Sequence, residues 1–372
     1  MSEVITVVLF WKKKPSIDLK KAEAVLADNK VFSFVGSGDP HESLGKCRVF
    51  LKTLEQIKTD LLVFDGDFLE EPAYLRADKD INKITQDSVK ALSQLFSNLL
   101  VTKLPTLLAA GNYEIFGSTT EAVQDLGSDQ LFDIGGNKKA PQQEIVIYEK
   151  PVYMDLTTKR ITWPGNVYNL EGFTLIGAEG SNPINYTFPG ERTEENMEWA
   201  LETPWSKSSP QSEKTILVVH SPPYGIRDRL GRFGVPPHLW GARKGSTGLR
   251  KFIDRKRPFL TLVGHIHEDF GINIRAWPKD DKEAEPKEFD MTFRNRLKLL
   301  IGYDTKQTEL SIVLNKGTLE YWNWSHITIA EQGTLRLIDV EGEWMNRKGE
   351  KKSFKSYKQI IDYDNAISAF FS

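Results

Sequence analysis

Residues 258–267 read PFLTLVGHIH, an apolar run that stops at a glycine and then delivers His265 and His267, two positions apart. An unbroken apolar run of this length, bounded by proline and glycine, is the pattern of a strand buried on both faces. Working outward from it, four more stretches repeat the design. KVFSFVGSGDPH (30–41) ends in Asp39 and His41, DLLVFDGDF (60–68) carries Asp67, PTLLAAGNYE (105–114) carries Asn112, and KTILVVHSPP (214–223) carries His220. Four of the six histidines fall in this series, and only His238 and His326 lie outside it. Hard divalent cations take oxygen ligands and imidazole suits transition metals, so this mixed set suits ions such as Mn, Fe, Zn or Ni.

Between these strands lie helical patterns. CRVFLKTLEQIKT (47–59) carries Val49, Leu51, Leu54 and Ile57 at near-helical intervals, and 81–103, 119–127 and 247–257 read as further helices. Thr193 stands as an N-cap before an acidic first turn. Alternating buried strands and helices argue for an α/β architecture. The stretch from about 130 to 176 turns to β, and ELSIVLN, YWNWSHITIA and TLRLIDVEG read as closing strands. VITVVLFW (4–11) reads as an extra N-terminal strand; it is too short to span a membrane and lacks the basic flank and cleavage site of a signal peptide. Segment 276–308 is expected to be a charged surface insertion, with 278–290 a mobile excursion. Residues 346–372 are expected to be a C-terminal tail, either a docked helix or loose. The expectation is one domain over 1–345, with its core at about 30–345.

The chain has 372 residues, 40% apolar and 27% charged, enough to bury a full core. A formal net charge of −2 disfavours a globally basic nucleic-acid binder. With Cys47 as its single cysteine, no intrachain disulfide can form, and a metal site must use His, Asp and Asn. The expectation is a soluble, cytoplasmic protein.

In an extended strand, side chains two apart share a face, so Asp39 and His41 reach one ion if the chain stays extended, and so do His265 and His267. Ligands at the ends of neighbouring strands converge on one rim of a sheet. Two ions about 3.5–4 Å apart can share a bridging carboxylate and a bridging hydroxide, a nucleophile at neutral pH suited to phosphoryl transfer. Taken singly, each motif has a plainer reading. Asp39-Pro40-His41 is a good turn, Asp65-Gly66-Asp67 an acidic loop, Asn112 a turn residue, and any histidine a hydrogen-bonded core residue. The ordered set, each member closing an apolar run, is what points to metal.

With Asp39-Pro40-His41, Gly66-Asp67, Gly111-Asn112-Tyr113-Glu114, His220 and Gly264-His265-Ile266-His267 in this order, the chain resembles the calcineurin-like metallophosphoesterase superfamily along about 30–270. GFTLIGAEGSNPINYTFPGERTEE, HSPPYGIRDRLGRFG and LNKGTLEYW resemble its prokaryotic, especially archaeal, branch, with Lys316 standing in place of a proline. The resemblance implies a ββ sandwich flanked by helices, a four-layer αββα fold with metals at the strand ends. It also implies a first cation held by Asp39, His41, Asp67 and His267, and a second by Asp67, Asn112, His220 and His265.

Tyr113 departs from the pattern, occupying the place of a histidine that in many members assists the leaving oxygen. It either substitutes as proton donor or packs against its neighbours, or the site turns over poorly. A phenol is a weaker acid than imidazolium, which favours activated esters or diesters over alkyl monoesters. The loop after His220 carries Arg227, Arg229 and Tyr224, candidates for phosphate and base contacts, although pairing with local acids such as Asp228 is the plainer reading. Asp65 and Glu42 are either outer carboxylates that orient histidines or surface turns. The substrate expected is a phosphate-ester small molecule, including nucleotides, cleaved as a phosphodiester or phosphomonoester. The rivals are a weakly active scaffold for protein interaction and a nuclease using the same metals.

Overall fold

Alternation along the apolar runs decides the layering. In β1 (Lys30–Gly38), Phe32 and Phe34 face one buried cluster and Val35 another; in β2 (Leu61–Asp65), Leu61 and Val63 part from Leu62 and Phe64 in the same way. A period of two with both faces apolar gives a sheet covered on both sides. The computed structural model describes residues 30–42, 44–70, 81–114, 118–127, 131–133, 153–155, 160–162, 167–182, 190–231, 237–267, 269–278, 285–291, 308–316, 324–332, 335–345, 351–362 and 367–371. The expected N-terminal strand (4–11) and most of the charged insertion lie outside the described residues.

The first sheet has the order β17-β16-β15-β14-β1-β2-β3-β4. In it β1, β2, β3 (Thr106–Ala109) and β4 (Leu131–Asp133) run parallel. Against them lie the antiparallel β14 (Trp324–Gln332), β15 (Leu335–Met345), β16 (Lys351–Asp362) and β17 (Ile367–Phe371). The second sheet has the order β12-β11-β13-β10-β9-β8-β7. Its parallel centre is β8 (Phe173–Ala178), β9 (Thr215–Val219), β10 (Leu260–Val263) and β13 (Thr308–Asn315), flanked by β7 (Val167–Leu170), β11 (Gly271–Pro278) and β12 (Lys287–Met291). A two-stranded pair, β5 (Tyr153–Asp155) and β6 (Arg160–Thr162), stands apart.

The sheets pack face to face through Phe32, Phe34, Val63, Val218, Leu262, Ile274, Leu314 and Ile329. Outside the first sheet lie α1 (Leu44–Leu54), α2 (Ile81–Leu99) and α3 (Ser118–Leu126), with α2 burying Leu92, Leu95, Phe96 and Leu99 at helical spacing. Outside the second lie α4 (Glu194–Ser208) and α5 (Thr247–Lys256), which bury Met197, Leu201, Leu249 and Phe252 against Leu217 and Val219. The result is the four-layer αββα sandwich. Thr193 caps α4 as expected, its hydroxyl accepting from the Asn196 N–H at 3.3 Å.

Two expectations need correction. The C-terminal stretch, expected as a docked helix or a loose tail, forms β16 and β17 and extends the first sheet. Part of the charge-dense excursion is likewise ordered as β12, an edge strand paired with β11. Glu288 of β12 holds it in place by pairing with Arg250 of α5 at 2.6 Å and with buried Arg275 at 3.2 Å. Among the described residues no helix is long and apolar enough to cross a membrane.

Candidate metal centre

The residues singled out as ligands follow the carboxyl ends of β1, β2, β3, β9 and β10, all members of parallel sets, so the loops after them crowd one rim shared by both sheets. The loops are laced to one another by backbone. Asp39 N–H donates to Gly66 O at 3.2 Å, His41 N–H to Asp67 O at 3.1 Å, and Glu42 N–H to Phe68 O at 2.8 Å. Across the sheets, Gly180 N–H donates to Ala110 O at 2.8 Å and Gly190 N–H to Asn112 O at 2.9 Å. The Gly-His-Ile-His loop is held by Gly264 N–H on His220 O (3.0 Å) and by Asn315 Nδ2 on Ile266 O (2.9 Å).

The chain does not stay extended at the ligands, the condition under which a spacing of two would set each pair on one ion. Asp39 (φ 46°), His41 (φ 44°), Asp67 (φ 39°) and His265 (φ 62°) all take left-handed backbone. Such conformations are uncommon for residues other than glycine and gather at functional sites. The turns still bring Asp39 and His41 together, but they part the last two histidines. Asp39, His41 and His267 form one group and Asp67, His220 and His265 another, the three ligand atoms of each lying within 4.8 Å of one another. Asn112 joins the second group, its side-chain oxygen 3.1 Å from His220 Nε2, 3.1 Å from His265 Nδ1 and 3.3 Å from both Asp67 carboxylate oxygens.

The packing of these donors fits cations. An amide oxygen set against two imidazole nitrogens and a carboxylate is repelled unless a cation stands among them or the amide turns over to donate. The Asp39 carboxylate is fully buried and neither oxygen accepts a hydrogen bond from the described residues; His267 Nε2 approaches it at 3.3 Å. Buried, unbonded carboxylate oxygens are costly in a protein interior and become favourable next to a metal ion. The donors are oxygen and imidazole nitrogen without sulfur, the set that takes Mn, Fe, Zn or Ni.

Ionisation follows the same field. Burial opposes charge on Asp39, but the His267 and His220 imidazoles outweigh it and hold the carboxyl below its usual range. Asp67 is likewise held well below the usual carboxylate range against its own burial, chiefly by His220. His220 is pushed up to about 9, because the carboxylates of Asp67 and Asp39 outweigh its burial. His265 goes the other way, to about 3, through burial and the neighbouring His220. The negative field that favours a proton on His220 also favours a divalent ion among these ligands.

Around this set, Glu114 does work that the sequence did not reveal. It is buried, and its carboxyl accepts from Leu69 N–H (3.0 Å) and Gly111 N–H (2.7 Å), tying the loop after β2 to the loop after β3. Leu69 O in turn lies 3.1 Å from His41 Nδ1, so the carbonyl takes Nδ1–H and leaves Nε2 as the lone-pair atom. The acid directly after Gly-Asn-Tyr was the only signal for this. Tyr113 donates its backbone N–H to Asp67 Oδ1 at 3.0 Å, and its half-buried ring meets His41 edge-on at 5.2 Å while packing on the helical layer.

The loop after His220 divides its expected contact residues. Tyr224 is 46% exposed and Arg229 is exposed. Arg227 is buried; its guanidinium reaches Asp269 at 3.2 Å and Ile272 O at 2.7 Å. Asp228 carries the loop's backbone, accepting from Gly225 N–H, Gly245 N–H and Arg243.

Comparison with known proteins bears on this arrangement. A family model described as calcineurin-like phosphoesterase matches residues 32–269. UPF0046 protein K07C11.7 of Caenorhabditis elegans is 25% identical over 173 residues, which is 45% of this chain and 47% of that protein. The chain thus spans about half the length of this curated relative. One crystal structure aligns with a TM-score of 0.51 at 12% identity, over 87% of this chain and 98% of that one. A structure of PhoD aligns at 0.45 and 10% identity (92% and 71% covered). The purple acid phosphatase PPD1 from yellow lupin seeds aligns at 0.41 and 12% (90% and 55%).

Proposed function

Because the chain belongs to the calcineurin-like phosphoesterase family, we propose that it hydrolyses phosphate esters with two divalent cations. Asp39, His41, Asp67 and His267 would hold the first, and Asp67, Asn112, His220 and His265 the second, with Asp67 shared. When bound, the pair supplies Lewis acidity that polarises a phosphoryl oxygen and acidifies water. The observation that supports this most is that two three-residue donor groups, drawn from four separate loops, meet at one rim.

The chain's own residues do the rest. Leu69 O fixes the tautomer of His41, and Glu114 fixes the two loops that carry Leu69 and Asn112. Tyr224 and Arg229, exposed on the loop after His220, would contact the ester's organic group and phosphate. Arg227, turned inward on Asp269, holds that loop from beneath. Tyr113 serves as a packing wall for His41, so the leaving group receives little help from a side-chain acid. Activated esters, whose leaving group is an aryl oxide or a nucleotide phosphate, and diesters are therefore preferred over alkyl monoesters.

The test is metal analysis of protein purified without chelators, followed by paired aryl and alkyl phosphates with added Mn, Fe, Zn or Ni. Cation-dependent hydrolysis that is faster on the aryl ester and lost in Asp67→Ala is expected. Hydrolysis that persists in Asp67→Ala would overturn the mechanism. Full cation loading without turnover of any ester would make the chain a scaffold instead.

A further inference from the structure

Behind the proposed ligands lies a buried charge pair that they do not use. Lys316 follows β13 and Asp65 ends β2; both are fully buried, and their side chains form an ion pair. The ammonium also lies 3.4 Å from Val263 O. Glycines make the room. A Cβ at Gly36 would fall 2.7 Å from Lys316 Cδ, and one at Gly38 would fall 2.3 Å from Asp65 Oδ1. At Gly264 a Cβ would meet Asp65 Oδ1 at 2.9 Å and Asp39 Oδ2 at 3.1 Å, so one methyl group there would touch both carboxylates.

A hard oxygen donor this close to Asp39, and cut off from water, has the chemistry of a ligand. Stability alone does not explain the pair, since buried ion pairs are often replaced by apolar residues without loss. We propose that Lys316 is a positioning residue: it neutralises Asp65 and withholds it from the cations, leaving Asp39 as the carboxylate of the first site. This rests on the two-cation reading above. It gives the two partners effects of opposite sign. Asp65→Asn leaves a buried ammonium facing the cations and repels them; Lys316→Met, similar in length and uncharged, frees a carboxylate to join them. A brace that only supported the fold would weaken binding whichever partner was removed.

The experiment titrates Co²⁺ into metal-stripped wild type, Lys316→Met, Asp65→Asn and the double variant. Calorimetry gives affinity, the visible cobalt spectrum gives coordination, and thermal unfolding controls for the fold. Asp65→Asn should bind about tenfold more weakly or worse, as expected for an unpaired charge at short range. Lys316→Met should bind no more weakly than wild type and show a weaker visible band as an oxygen ligand is added. The double variant should recover the wild-type affinity and spectrum. Equal losses in both single variants, or a wild-type spectrum in Lys316→Met, would overturn the inference. Should Lys316→Met not fold, failure of the double variant to bind more tightly than Asp65→Asn would overturn it as well. A wild type that takes up no cobalt would instead defeat the two-cation reading itself, and this inference with it.

Discussion

The two sheets bring unlike halves to the rim. The first contributes Asp39, Asp67 and Asn112, with His41 as its one imidazole; the second contributes His220, His265 and His267 and no carboxylate. All the negative charge of the proposed ligands therefore sits on one sheet, and each donor group draws from both. Neither sheet alone could assemble the proposed cation sites, so binding there would depend on the packing of Phe32, Val63, Val218 and Leu262 between them. Cations that bind only the assembled rim stabilise the fold by mass action. Adding Mn²⁺ to stripped protein should raise the melting temperature, and Asp67→Ala should abolish the rise.

The comparison breaks most sharply at its anionic half. Asp67→Ala removes the carboxylate proposed for both cations, and hydrolysis should fall by about 10³-fold or more, measured as turnover beside cation content. On the imidazole half, His267→Ala should empty one site and leave the other. The cost in that site's affinity should exceed the roughly 10–100-fold that loss of an outer partner brings.

The support beneath the anionic half comes next. Glu114→Gln sets an amide NH₂ against one of two backbone N–H groups and should weaken cation binding by about 10-fold, read by calorimetry. Glu114 is pushed up to about 8, by burial first and by nearby Asp67 second, so its charge is already opposed and the Gln variant should fold. Tyr113→Phe keeps the ring against His41 and removes only the hydroxyl. Little change in kcat is expected, whereas loss of a working proton donor would cost about 10²–10⁴-fold.

Much of this was legible because it is local. A short apolar run with a polar residue at its end needs no tertiary knowledge, so all five ligand strands were read from residues 30–267. The helices followed from periodicity, as with Leu92, Leu95, Phe96 and Leu99 in α2. What was missed depends on partners distant in the chain. In KKSFKSYKQIID the lysines dilute the alternation, and the stretch becomes a strand by pairing with β15 and β17. Glu288 lies in a charge-dense run whose order comes from Arg250 and Arg275. Backbone at positive φ leaves no mark in a spacing of two, so spacing alone sets His265 and His267 on one ion, and only the family resemblance parts them as the fold does. Sequence shows Lys316 only as a lysine in place of a proline; its partner, Asp65, is supplied by the fold.

The smallest effect lies away from the rim, where Glu331 pairs with Lys214 and Arg336. Burial raises its pKa, but Arg336 and Lys214 outweigh this and hold it below the usual 4.5. A carboxyl whose folded pKa is depressed contributes stability above its unfolded pKa and loses it as pH falls through the folded one. The gap in melting temperature between wild type and Glu331→Gln should therefore be constant near neutral pH and close below pH 4.5.

The most direct test of the shared rim is anomalous diffraction from crystals soaked in Mn²⁺. Two peaks are expected, one among Asp39, His41 and His267 and one among Asp67, Asn112, His220 and His265. A single peak, or none touching ligands from both sheets, would contradict it.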